Sequence, residues 1–188
     1  AGIGHPRTAA VSGLREAKAE PEKMGVTIRP ISRAATIVVE TDNQPEGCSV
    51  DFTGDWTPIN HDLISTECRN GDAMESGPRQ TAASHFARFT PDLQWAGYYR
   101  VFTGFAKGET EAGIANVKVH AAAVGFSKEI DQSVQPNRWH YIGTFEFNSG
   151  TEGYVELSPE EGLIRADAVK FVYQGVEIEV HPLGWVLF

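Results

Sequence analysis

At 188 residues, with 16 basic against 25 acidic side chains and a net charge of -9, the chain is long enough to bury roughly two thirds of its unfolded surface as one domain. No Lys/Arg cluster occurs along it, which argues against nucleic acid and anionic membranes as partners. The densest apolar run, Trp185, Val186, Leu187 and Phe188, falls far short of the ~20 residues of a spanning helix, so no membrane insertion is expected.

Residues 1–34 contain Gly2, Gly4, Pro6, Gly13 and Pro21 and a short expected strand, Val26-Thr27-Ile28-Arg29, stopped by Pro30; they read as an N-terminal arm. A β domain is expected over residues 35–173, opening with the β-branched run Thr36, Ile37, Val38, Val39. Asp42, Asn43, Pro45 and Gly47 form a turn, and Val50, Phe52 and Gly54 then share one parity. From residue 60 to 84 no period is sustained, which predicts a long surface insertion. Cys48 and Cys68 enclose a loop rich in polar residues, and a disulfide between them would tether the insertion and be worth roughly 3 kcal/mol. That pairing points to a secreted protein.

Strand character returns at residues 85–89. The segment 97–105 is apolar on both faces and is expected to be central in a sheet, and residues 116–120 and 126–131 flank Gly125 as a hairpin. Residues 138–147 alternate: Trp139, Tyr141, Phe145 and Phe147 take one parity, and His140, Thr144 and Glu146 the other. This predicts a half-buried strand with the first set in the core. Val155 and Leu157 repeat the alternation, and residues 165–171 supply another strand. The tail, residues 174–188, carries Val176, Ile178 and Val180 opposite Glu177 and Glu179, then Trp185, Val186, Leu187 and Phe188. An alternating strand followed by an apolar terminus is expected to dock by strand addition. The whole predicts an all-β, antiparallel β-sandwich with N- and C-terminal extensions.

Several separated motifs stand out: Thr41-Asp42-Asn43, Phe52-Thr53-Gly54-Asp55-Trp56, Ala87-Arg88-Phe89-Thr90-Pro91-Asp92-Leu93, Ala96-Gly97-Tyr98-Tyr99-Arg100-Val101, Asp131-Gln132, Trp139-His140-Tyr141-Ile142-Gly143 and Arg165-Ala166-Asp167-Ala168-Val169-Lys170-Phe171. Together they resemble the golvesin C-terminal domain, a family also described as the carbohydrate-binding-like domain of xanthan lyases. The resemblance implies a jelly-roll-like sandwich, found appended to secreted bacterial enzymes and without catalytic residues of its own. It brings no ligand residues, because the family has no defined binding motif.

Asp167 shares the parity of Val169 and Phe171, so its carboxylate is expected to face inward as a structural group held by backbone N–H groups or an Arg. Asp55 is expected to fix a turn. The six histidines never occur as HxH or HExxH, and no metal is assigned; Asp42, Asp51 and Asp72 are the only suggestion of a structural calcium, without an Asp-x-Asp-x-Asp loop. No Gly-x-Ser-x-Gly elbow occurs, and Gly-rich turns are not followed by helices. An enzyme is therefore not expected. Sugar stacking needs an exposed aromatic face. Trp95, Tyr154 and Trp56 are the candidates, while core packing accounts for Trp139 and Tyr141.

Two functions are compatible with these features. The first is a secreted, extracellular structural or adhesive subunit that self-associates through its arms into an oligomer or filament. The alternative is a polysaccharide-binding accessory module of an extracellular degrading system.

Overall fold

β-branched and aromatic residues at alternate positions build short strands whose apolar sides must meet, and the computed structural model shows twelve of them among the residues it describes. These residues are 36–60, 72–77, 85–107, 111–123 and 125–175, all within the unit Ala34–Phe188. The strands are β1 (Thr36–Glu40), β2 (Ser49–Thr53), β3 (Trp56–Asn60), β4 (Asp72–Ser76), β5 (Phe86–Thr90), β6 (Gly97–Phe105), β7 (Ile114–His120), β8 (Gly125–Asp131), β9 (Arg138–Phe147), β10 (Tyr154–Glu161), β11 (Arg165–Ala166) and β12 (Ala168–Gly175). Among the described residues there is no α-helix.

The strands form a four-stranded sheet ordered β1-β12-β6-β9, a five-stranded sheet ordered β2-β5-β10-β7-β8 and a small sheet ordered β11-β4-β3. Every ladder is antiparallel. Phe89, Val117, Val119, Val155 and Leu157 from the five-stranded sheet join Tyr99, Val101, Phe105, Phe147, Val169 and Phe171 from the four-stranded sheet in one buried cluster. The expected all-β, jelly-roll-like sandwich is the fold the chain adopts. The strand at 97–105 has β12 on one side and β9 on the other, the central place its two apolar faces require. Tyr99 anchors its buried face. Burial pushes the Tyr99 phenol up to about 12, and its hydroxyl donates to the Trp95 carbonyl at 2.7 Å.

Two expectations need correction. The stretch from 60 to 84 is not a plain surface insertion, because β3 and β4 pair across it, Trp56 opposite Ser76 and Ile59 opposite Ala73. The strand expected over 165–171 is split, with β11 pairing to β4 and β12 to β1 and β6. Asp167 sits at the break, 3% exposed, and its carbonyl accepts from Thr41 N–H at 2.9 Å. Asp55 is exposed at the β2–β3 corner and contributes a carbonyl to Gly77 N–H at 2.9 Å.

Cys48 carries a free thiol whose sulfur accepts a hydrogen bond from Asp92 N–H at 3.2 Å. Burial pushes this thiol up, with the Asp92 charge adding to it. Its expected partner Cys68 lies outside the described residues, as do the arm at 1–34 and the tail residues Val176, Ile178, Val180, Trp185, Val186, Leu187 and Phe188.

Candidate functional site

The outer face of the four-stranded sheet owes its character to one irregularity. In the β6–β9 ladder Val101 stands opposite Gly143, but the next residue, Phe102, stands opposite Tyr141, so Ile142 is an extra residue in β9. Such a bulge reverses side-chain parity along the rest of the strand. Ile142 goes inside, 4% exposed, while Tyr141 is 45% exposed. The expectation that Trp139 and Tyr141 pack in the core is therefore wrong. Both stand on the solvent side, and His140 takes the inward place, stacked on Phe105 with centroids 4.5 Å apart.

Trp139 stands opposite Gly104 on β6. A Cβ built on Gly104 would meet the indole carbons Cζ3, Cε3 and Cη2 at 3.4, 3.5 and 3.9 Å, so the ring lies across the bare backbone of β6. A glycine in a central strand usually marks such a close approach. Phe102 lies beside Tyr141, with centroids 5.4 Å apart. The Tyr141 hydroxyl shares a hydrogen bond with Thr144 Oγ1 at 2.8 Å, and Lys128 Nζ donates to the Tyr141 carbonyl at 3.1 Å.

Two cations flank these rings at cation–π range. Arg100 Cζ lies 5.1 Å from the Phe102 centroid and 5.1 Å from that of Tyr141. Lys170 Nζ lies 4.7 Å from Phe102 and 4.2 Å from Trp139. The platform thus comprises Trp139, Tyr141 and Phe102 with Arg100 and Lys170, drawn from three adjacent strands.

The three aromatics expected to stack on sugars are not brought together. Trp95 precedes β6 and packs on Tyr173 at 5.5 Å. Trp56 opens β3, donates Nε1–H to the Thr53 carbonyl at 3.0 Å and packs on Phe52 at 5.2 Å. Tyr154 lies in the five-stranded sheet with a partner from each neighbouring strand: His120 stacks on it at 4.2 Å and Arg88 Cζ lies 4.3 Å from its ring. Among the described residues no group of three His, Cys, Asp or Glu side chains could share a metal ion.

His140, directly behind the platform, makes a pH prediction. Burial lowers its pKa from the ordinary 6.5, the Gln135 carbonyl opposes this, and the charges of Arg138 and Lys128 add to the lowering. That carbonyl, 3.0 Å away, can only accept, so Nε2 carries the hydrogen. Because the unfolded chain protonates more readily, the contribution of His140 to stability is full above about pH 6.5 and declines as pH falls toward the lower folded value. Urea midpoints from pH 7.5 to 5 should fall more steeply for the wild type than for His140→Leu. Parallel curves would contradict this.

A family model, the golvesin C-terminal domain, matches residues 37–173. A xanthan lyase from Bacillus sp. (strain GL1) is 36% identical over 92 residues, which is 46% of this chain and 10% of that protein. Among solved structures, a Paenibacillus xanthan lyase superposes with a TM-score of 0.64 at 24% identity, over 80% of this chain and 14% of that one. The CBM35 domain of Cellvibrio japonicus Abf62 superposes with a TM-score of 0.51 at 15% identity, over 75% and 95% of the two chains. At such identities the superpositions speak to the fold. The chain spans a small fraction of the xanthan lyases it matches, and its motifs, sandwich and family match from residue 37 to 173 agree: it belongs to the golvesin C-terminal domain family.

Proposed function

We propose that this domain is a non-catalytic carbohydrate-binding module of a secreted bacterial polysaccharide-degrading system, and that its glycan lies on the outer face of the four-stranded sheet. The observation that carries the reading is the indole of Trp139 seated on Gly104 beside the exposed ring of Tyr141. A flat aromatic surface matches the apolar face of a pyranose ring, and an indole seated on the central strand β6 presents it at little conformational cost. Likeness to xanthan lyases in sequence and fold, and to a CBM35 domain in fold, supports this class over a free-standing structural subunit. Self-assembly through the tails, the first expectation from sequence, rests on segments 1–34 and 174–188, nearly all outside the described residues, and forms no part of the proposal.

Titration of the protein with a panel of polysaccharides should reveal binding that quenches Trp fluorescence. Trp139→Ala should weaken it about tenfold, the order expected for one aromatic stacking contact with its buried area. Trp95→Ala is the internal comparison, since Trp95 packs on Tyr173 instead of the platform. Loss confined to Trp95→Ala would move the site to the β5–β6 loop. A panel without any binding would end the carbohydrate reading.

A further inference from the structure

We propose that the ligand of this face is an acidic glycan, one whose sugars carry carboxylates as uronic acids do, and that Arg100 is the residue that selects it. The inference rests on the carbohydrate-binding reading and names its substrate class.

The sandwich presents the same grouping, an arginine set among aromatic rings, on both outer faces, with different outcomes. On the five-stranded sheet Arg88 lies 5.2 Å from the Phe86 centroid and 4.3 Å from that of Tyr154. Its fork is already occupied, because Nε and Nη2 both donate to Glu156 Oε2, at 3.1 and 2.9 Å. On the four-stranded sheet Arg100 is exposed, and the residues opposite it are Thr144 on β9 and Val172 on β12. Neither can accept an ion pair. The ion pairs of Arg88 with Glu156 and of Arg165 with Glu75 do not involve it, and Arg100 keeps a carboxylate-shaped fork turned to solvent.

Charge points the same way. In a chain with 25 acidic against 16 basic side chains, random placement would put an acid beside an aromatic patch more often than a base. Here Arg100 and Lys170 border the rings. A pyranose stacked on Tyr141 or Trp139 directs its equatorial substituents outward past the ring edge. A carboxylate among them then meets a cation beside the aromatic, where a planar guanidinium offers two parallel hydrogen bonds. A neutral sugar would gain the stacking and leave that fork in water.

The full chain should be tested on an array of neutral and uronate-bearing polysaccharides, and then by titration against the best ligand and its carboxyl-reduced counterpart. Signals confined to carboxylate-bearing glycans are expected. Carboxyl reduction should weaken binding about tenfold or more, the range of a charge-assisted bidentate contact. Arg100→Gln should lose as much affinity for the native polymer and little for the reduced one, with an unchanged near-UV spectrum. Arg100→Lys, which keeps the charge without the fork, should fall between. Equal affinity of the wild type for native and reduced polymers would overturn the acidic preference and leave the module reading standing. Absence of binding to every glycan would overturn both. A change in sedimenting mass on Arg100→Gln would assign the face to a second copy of the chain, and stronger binding to an oligothymidylate than to any glycan would assign it to single-stranded nucleic acid. Either would defeat the proposal.

Discussion

Replacing Phe147 with alanine should lower the unfolding free energy by about 4 kcal/mol, in the range for deleting a buried phenylalanine ring. Phe147 is fully buried at the end of β9. It meets Tyr99 edge-to-face at 5.9 Å and Phe171 at 5.7 Å, so one ring ties β9, β6 and β12 together. It also reaches the other sheet. A Cβ on Gly153, just before β10, would collide with the Phe147 ring, so this ring occupies space that any larger residue at 153 would claim. Truncation removes two edge-to-face contacts and opens a cavity between rigid sheets that cannot close over it. Urea unfolding should show the midpoint shift with an unchanged slope. Phe147→Leu, which keeps most of the volume, should cost about 1.5 kcal/mol. A loss below about 1.5 kcal/mol for the alanine variant would show that the sheets do not depend on this ring.

Phe147 also shows how far the sequence reaches. Its parity with Phe145 places it inside, and it is inside, because the ladder from Gly97 opposite Phe147 to Val101 opposite Gly143 is regular. Pattern reasoning works where the residues alternate and the register is unbroken. For that reason β1 and the β7–β8 hairpin are legible almost residue for residue. It fails for Trp139 and Tyr141, since the extra residue at Ile142 turns them over and a count of alternate positions cannot see an insertion in a ladder. The signal was present in a weaker form. Apolar Ile142 sits off parity beside Gly143, and glycine inside a strand pattern is a mark of a bulge. Arg100 and Lys170 escaped for another reason, since a cation joins a site through neighbours on other strands and its own strand says nothing of them. The β3–β4 pair was hidden because its residues show no alternation, its third strand being only Arg165–Ala166.

That two-residue strand carries the other large effect. Arg165→Ala should cost about 3 kcal/mol or more, the scale for breaking a buried ion pair by removing one partner. Arg165 is 2% exposed, and its Nε and Nη2 donate to Glu75 Oε2 on β4 at 3.0 and 2.8 Å. Its backbone is held as tightly. The Arg165 N–H donates to Gln132 Oε1 at 2.7 Å, and Gln132 Nε2 donates to the Arg165 carbonyl at 2.9 Å. Gln132 follows β8 and is itself 2% exposed. One residue thus fastens β4 and the end of β8 to the segment leading into β12. Gln132→Leu should cost about 2 kcal/mol by stranding two buried backbone groups. Because the two residues share a network, the double variant should lose less than the sum of the single losses. Thermal or urea unfolding of the three variants would decide. Full additivity, or an Arg165→Ala loss under about 1 kcal/mol, would mean that the small sheet is held by its ladders and that this polar cluster is incidental to stability.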